Sequence, residues 1–375
     1  MVKDDLVLLA YGALAILRTG ASRLSALIVV LLAVAAASAF FVLPRISREP
    51  PADPQQDPPA AAGEPALNPN NFAGWPKPDL AIVVTGQTFG YLQPCGCSEP
   101  QEGGLARRYN LIQLLKKRGW EVLATDVGDV APAMGLQSLL KYRYAMKAMT
   151  AMEYTAIGIG ENEASQPLFR ALGELINEKN PPPVLAANLK DAKKNFPQMI
   201  HSIVVKNKLA GKIGAVGFTS VVAPSVAAKI SIIDPTLKFD PVNVVLTEAI
   251  KKLQDHNADL LVLLLQGSNE EAKAVAAQFP QFQLIVCLDS SDVASAKADE
   301  AGATMIVSLG QKGKCAGVVG VKRTDNPNQP FELRYQLVAI DPSLETPKGK
   351  DADNPIHQIL QDYADEVKRN DYLTQ

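Results

Sequence analysis

The chain has 375 residues, 47% of them hydrophobic, a formal net charge of −2, three histidines and four cysteines. That apolar content is ample for a buried core and excludes a disordered tail. The near-neutral charge offers no basic face, so no nucleic-acid partner is expected.

Residues 6–17, "LVLLAYGALAIL", are too short to cross a bilayer, whereas 24–44, "LSALIVVLLAVAAASAFFVLP", supply about 20 apolar positions, enough for a hydrocarbon core of about 30 Å. We read 1–23 as a cytoplasmic segment and 24–44 as an uncleaved signal anchor, a single-pass membrane helix. A cleaved signal peptide, cut after Ala37-Ser38-Ala39, is the alternative. Lys3, Arg18 and Arg23 outnumber Arg45 and Arg48 beside the span, which favours the N-terminus inside. The remainder then lies on the periplasmic or extracellular side of a cell membrane, where disulfides persist. Residues 49–78 hold nine of the 27 prolines and read as an extended linker.

From 79 onward strands and helices alternate: strands at 79–85, 121–126, 154–159 and 183–188, with helices at 104–118, 136–151 and 164–178 between them. Such alternation is the pattern of an α/β fold. Residues 202–220 read as two strands about a turn at Ala210-Gly211, which brings in antiparallel pairing and hence mixed sheets. Helix 241–256, strand 259–265, helix 269–278 and strands 283–287 and 303–308 follow. Residues 315–322 and 331–340 read as an antiparallel pair. One domain is expected over 79–345, with a final helix and tail over 353–375 that either packs on it or projects.

Several segments, in order, resemble the calcineurin-like metallophosphoesterase superfamily, and more narrowly its 5′-nucleotidase-like branch. They are "VVTGQTFGYL", "GGLARR", "VLATDVGDVAPAMG" and "AMTAMEYTAIGIGENE", followed by "VLAANL", "KIGAVGFTS", "ADLLVLLLQG" and "ATMIVSLGQKGKCAGVVGVK". The resemblance covers roughly 79–322. It implies a sandwich of two mixed β-sheets flanked by helices, with a site at the C-terminal ends of several strands. It also implies two divalent metals on about seven Asp, His and Asn ligands, which activate a water and stabilise the charge that develops as the phosphoester is attacked.

The ligand residues themselves are mostly different here. Gln87 stands for the first Asp and Phe89 for the first His. Asp129 keeps the bridging Asp, Glu161 replaces an Asn, Gln266 replaces a His, and Asp289 and Ser291 replace the last two His. Asn162 occupies the place of the catalytic His. None of His201, His256 and His357 falls on a motif, so a standard two-metal centre is not expected. The remaining oxygen donors, Asp129, Glu161 and Asp289 with Gln87 and Gln266, suit one hard cation, Mg²⁺, Mn²⁺ or Ca²⁺, or else form a hydrated remnant pocket. Glu163 is either a further acid or a cap for the helix after it.

The loop "GYLQPCGCSEPQEGGLARR" resembles that of a bacterial subgroup with Pro-Cys-Gly-Cys before Gly-Gly-Leu-Ala-Arg-Arg. Some members of that subgroup bear multihaem regions; no Cys-x-x-Cys-His occurs here, so no haem is expected. Cys95 and Cys97 are open to three readings: a disulfide with each other or with Cys287, unpaired thiols, or a metal or redox site. Cys315, within a strand, reads as a small buried hydrophobe. Arg107 and Arg108 begin a helix, where they either meet an anion or are solvated or salt-bridged. The expected function is a membrane-anchored extracytoplasmic binding or accessory protein with an unidentified protein or small-molecule ligand. The alternatives are a metal-dependent phosphoester or nucleotide hydrolase with a rebuilt site, and a thiol-based redox accessory.

Overall fold

The computed structural model describes residues 64–372, apart from 97, 98, 136, 167, 192–198 and 293. The proposed span at 24–44 and the first part of the linker lie outside the described residues. Among the described residues no helix is long and apolar enough to cross a membrane.

Strand β1 (Leu80–Thr85) lies mid-sheet, with β2 (Val122–Asp126), β3 (Tyr154–Gly158), β4 (Val184–Leu185) and β6 (Ile200–His201) parallel to it in turn. On its other side β14 (Cys315–Arg323) and β15 (Phe331–Ala339) are antiparallel neighbours, as their sequence pattern indicates. The second sheet runs β12 (Asp299–Ala301), β13 (Thr304–Ser308), β11 (Leu284–Cys287), β10 (Leu260–Gln266), β8 (Ala215–Val222) and β7 (Ile203–Asn207), parallel in its middle and antiparallel at both edges. Between β6 and β7 the chain passes from one sheet to the other at Ser202, and β7 and β8 form the hairpin expected at 202–220. A small ladder of β5 (Leu189–Asp191) and β9 (Leu237–Phe239) completes the strands.

Period-two alternation sorts the strand residues. Leu80, Ile82 and Val84 meet Val262, Leu264 and Val286 between the sheets, while Ala81 and Val83 face helices on the outside. On the outer face of the first sheet lie α1 (Leu105–Lys117) and α2 (Ser138–Ala151), and β3 is followed by the short α3 (Glu161–Ser165) and α4 (Leu168–Gly173). After β8 come α5 (Pro224–Ile233) and α6 (Val242–Asp255); α6 and α7 (Asn269–Gln278) cover the second sheet, over Leu261, Leu263 and Leu265.

Three expectations are corrected. The single helix at 164–178 is two short ones, because Gln166, ahead of a proline in the sequence, is extended at ψ 161°. Helix α5 falls where no element was expected; its start is marked by Pro224 in the first turn. The linker ends before residue 78, since Phe72 is 3% exposed and its ring sits 5.2 Å from both Trp75 and Trp120. The final helix, α8 (Pro355–Arg369), packs against the domain instead of projecting: Ile356 and Val367 join the core that contains α1 and α2, and Tyr363 meets Tyr144 edge-on at 5.5 Å.

Candidate functional site

The residues singled out by sequence converge at the C-terminal ends of β1, β2, β3, β10 and β11, where open α/β sheets carry their sites. Three of them hold left-handed backbone despite carrying side chains: Gln87 (φ 48°), Phe89 (φ 51°) and Asp129 (φ 57°). Such conformations are uncommon outside glycine and gather at functional sites. They are set by a ladder between two loops, in which the N–H groups of Gln87, Phe89 and Gly90 donate to the carbonyls of Gly128, Asp129 and Val130, each at 2.8 Å.

Gln87, Asp129, Glu161, Asn162, Gln266 and Asp289 each engage the chain itself through the side chain. Gln87 donates from Nε2 to the Asp289 carbonyl at 3.0 Å and accepts the Asp289 N–H on Oε1 at 2.8 Å. Asp129 lies across the start of α3 and accepts the Asn162 N–H at 2.9 Å. Gly160 is required beneath it, since a Cβ there would come within 2.3 Å of Asp129 Oδ1. Asn162 turns its amide to the Ala131 carbonyl at 2.9 Å. Gln266, fully buried, donates to the Val127 carbonyl at 2.8 Å, which leaves its Oε1 without a partner. The Asp289 carboxylate accepts from the Ser308 hydroxyl at 2.8 Å and the Ser291 N–H at 2.9 Å. Glu161, half-buried, is 3.3 Å from Lys229 of α5. Phe89 offers no donor atom at all.

Of the two roles considered for Glu163, the structure shows the cap. Its carboxylate caps α3 through the Gly160 N–H at 2.8 Å and also accepts the N–H groups of Asp129 and Ala131 at 3.1 and 2.7 Å. Burial, reinforced by the neighbouring Asp129 charge, pushes it up to about 8 against the pull of those three N–H groups. Burial likewise lifts Asp129 to about 6, with Glu161 and Asp126 adding to it and backbone N–H groups opposing.

Behind the loops lies a polar network that sequence reading missed. Asp126, fully buried, accepts from Thr85 at 2.6 Å and from the Gly128 N–H at 2.9 Å, with the Arg108 guanidinium 3.9 Å away. Burial raises Asp126 and the arginine opposes it. Arg108 donates to Thr88 at 3.1 Å, while Arg107 pairs with Glu345 at 2.6 Å. Arg107 is thus turned to protein acceptors, whereas Arg108 is fully buried and donates from Nη2 alone, its Nε and Nη1 making no hydrogen bond. The acid in "TDVGD" at a strand end and the arginine in the preceding helix were the available signals.

Cys95 is 2% exposed and disulfide-bonded. Its bond does not go to Cys287, because Cys287 and Cys315 are free; Cys97 lies outside the described residues. Cys287 points with Ile285 to the outer face of its sheet, in the core beneath α6 and α7, and burial pushes its thiol up to about 12. Cys315 is half-buried, and burial pushes it up to about 11. His201, His256 and His357 lie off these loops, on β6, at the end of α6 and in α8. Among the described residues no three His, Cys, Asp or Glu side chains are grouped to hold a metal ion. The donor set present therefore does not fit the two-metal centre implied by the resemblance.

No family model matches the chain. A venom 5′-nucleotidase of Crotalus adamanteus is 27% identical over 165 residues, 43% of this chain and 26% of that protein. A 5′-nucleotidase of Diplobatis ommata is 26% identical over 194 residues, 51% of this chain and 33% of that protein. The chain thus spans a third or less of the length of these curated relatives. Among solved structures, a 5′-nucleotidase precursor from Thermus thermophilus superposes with a TM-score of 0.63 at 20% identity, over 77% of this chain and 59% of that one. The sulfate thiohydrolase SoxB of the same organism gives 0.62 at 16% identity, over 78% and 62%. The calcineurin-like phosphoesterase YfkN of Bacillus subtilis gives 0.58 at 17% identity, over 77% of this chain and 98% of that one.

Proposed function

We propose that this chain, whose fold is that of the calcineurin-like phosphoesterases in the form found in 5′-nucleotidases, is a membrane-anchored, extracytoplasmic protein of bacterial type that binds a ligand or partner and does not hydrolyse phosphoesters. One observation carries the reading. At the positions where the resemblance places metal ligands and the catalytic His, Gln87, Asp129, Glu161, Asn162, Gln266 and Asp289 each make a side-chain hydrogen bond or ion pair within the chain, Gln266 keeping one unpartnered oxygen, and Phe89 is apolar. Without two ions the reaction loses water activation and charge stabilisation, each worth several kcal/mol in the transition state.

A second reading, a metal-dependent hydrolase with a rebuilt site, draws on the carboxylates of Asp129, Glu161 and Asp289 at strand ends. The thiol-based alternative has less support, since Cys287 and Cys315 are held as thiols by burial and Cys95 is already bonded. The test is turnover of a phosphodiester and of nucleoside monophosphates by the full-length protein with Mg²⁺, Mn²⁺, Ca²⁺ or Zn²⁺. No turnover above the protein-free rate is expected. Metal-dependent turnover abolished by Asp129→Ala would establish the hydrolase instead.

A further inference from the structure

We infer that hydrogen bonds within this chain do the cross-linking that a pair of metal ions would otherwise give the strand-end loops, and that Gln87 is the principal link. The inference rests on the non-hydrolytic reading and explains how the loops stay ordered under it. Two of the links cross from one sheet to the other. Gln87, after β1 in the first sheet, holds Asp289, after β11 in the second. Gln266, at the end of β10 in the second sheet, holds Val127, after β2 in the first. Two more join neighbouring loops of the first sheet: Glu163 spans Gly160, Asp129 and Ala131, and Asn162 reaches Ala131.

The residue types suit this task. Pairing with the N–H and C=O of a single residue needs one acceptor and one donor side by side, which a primary amide has and an ionised carboxylate lacks. Asp289 is gripped through its backbone, so the link does not depend on its side chain. The space beside Gln266 is kept by Gly128 (φ 114°), where a Cβ would come within 2.5 Å of the Gln266 amide nitrogen. A cation entering here would first have to break these bonds.

The experiment is thermal unfolding of the full-length protein in detergent, with EDTA, with excess MnCl₂ and with neither. The wild-type Tm is expected to be the same in all three. Gln87→Ala, which removes both bonds to Asp289, is expected to lower Tm by about 2–6 °C whether or not metal is present. Gln87→Glu keeps the acceptor and loses the donor; a comparable loss that Mn²⁺ does not restore is expected. A wild-type Tm that falls with EDTA or rises with Mn²⁺ overturns the inference, and so does an unchanged Tm in Gln87→Ala. The wild-type arm needs no variant to fold. Turnover without a metal-dependent shift in Tm would sink the proposed function and leave this inference standing; such a shift without turnover would do the reverse.

Discussion

Glu163 shows what burying a carboxylate among backbone N–H groups does to the whole fold. Its folded value of about 8 and that of Asp129 of about 6 lie above their ordinary values of 4.5 and 3.8, so between roughly pH 4 and pH 8 the folded state binds more protons than the unfolded one. Stability is therefore expected to fall as pH rises through that window. Urea unfolding at pH 5 and pH 8 checks it, and Glu163→Gln, which cannot ionise, is expected to remove most of the difference. A protein more stable at pH 8 than at pH 5 would contradict the assignment. Glu163 was legible in the sequence as an acid next to a helix start. The Gln87 link was not, because its partner is a backbone group 202 residues away and no side-chain type announces it. The residue alphabet marked where ligands had been replaced; only the folded chain tells what the replacements hold.

The aromatic group at the linker's end belongs to the scale of elements. Phe72 stands edge-on to Trp75 and Trp120, which are themselves nearly parallel with centroids 6.3 Å apart, and the Arg118 guanidinium lies 5.3 Å from the Phe72 ring and 5.2 Å from that of Trp120. This group fastens residues 72–75 beside the starts of β1 and β2. Phe72→Ala is expected to cost about 3–5 kcal/mol in urea unfolding, by loss of buried area and an unfilled cavity. Altered tryptophan fluorescence should accompany it, and a loss below about 1 kcal/mol would mean that the segment is only laid on the surface. Phe72 and Trp75 were the visible exceptions in a proline-rich stretch; composition averaged over the stretch hid them. The long buried strands were read because their runs are apolar, whereas β5, β6, β9 and β12, of two or three residues each, were not, and the strand expected at 183–188 is only Val184–Leu185. Short helices were not read either, since two turns carry too little periodicity to outweigh a proline.

For the whole molecule, order and spacing of motifs made the two-sheet architecture readable, while the crossing between sheets at Ser202 has no sequence mark of its own. The proposed anchoring predicts that protease added to intact spheroplasts removes the folded domain, as seen by immunoblotting with an antibody to it; full protection would reverse the orientation. The path of the first described residues has a mechanical meaning. Glu64 pairs with Lys350 and the Ala66 N–H donates to Ser343 at 2.9 Å, just beyond the end of β15, whereas Phe72 is fastened at the opposite ends of the strands. A tug arriving along the preceding chain is thus taken first by the outer edge of the sheet and its following turns, then by the aromatic group, and last by β1. Tension would peel a margin of the fold well before it reached the loops joined by Gln87.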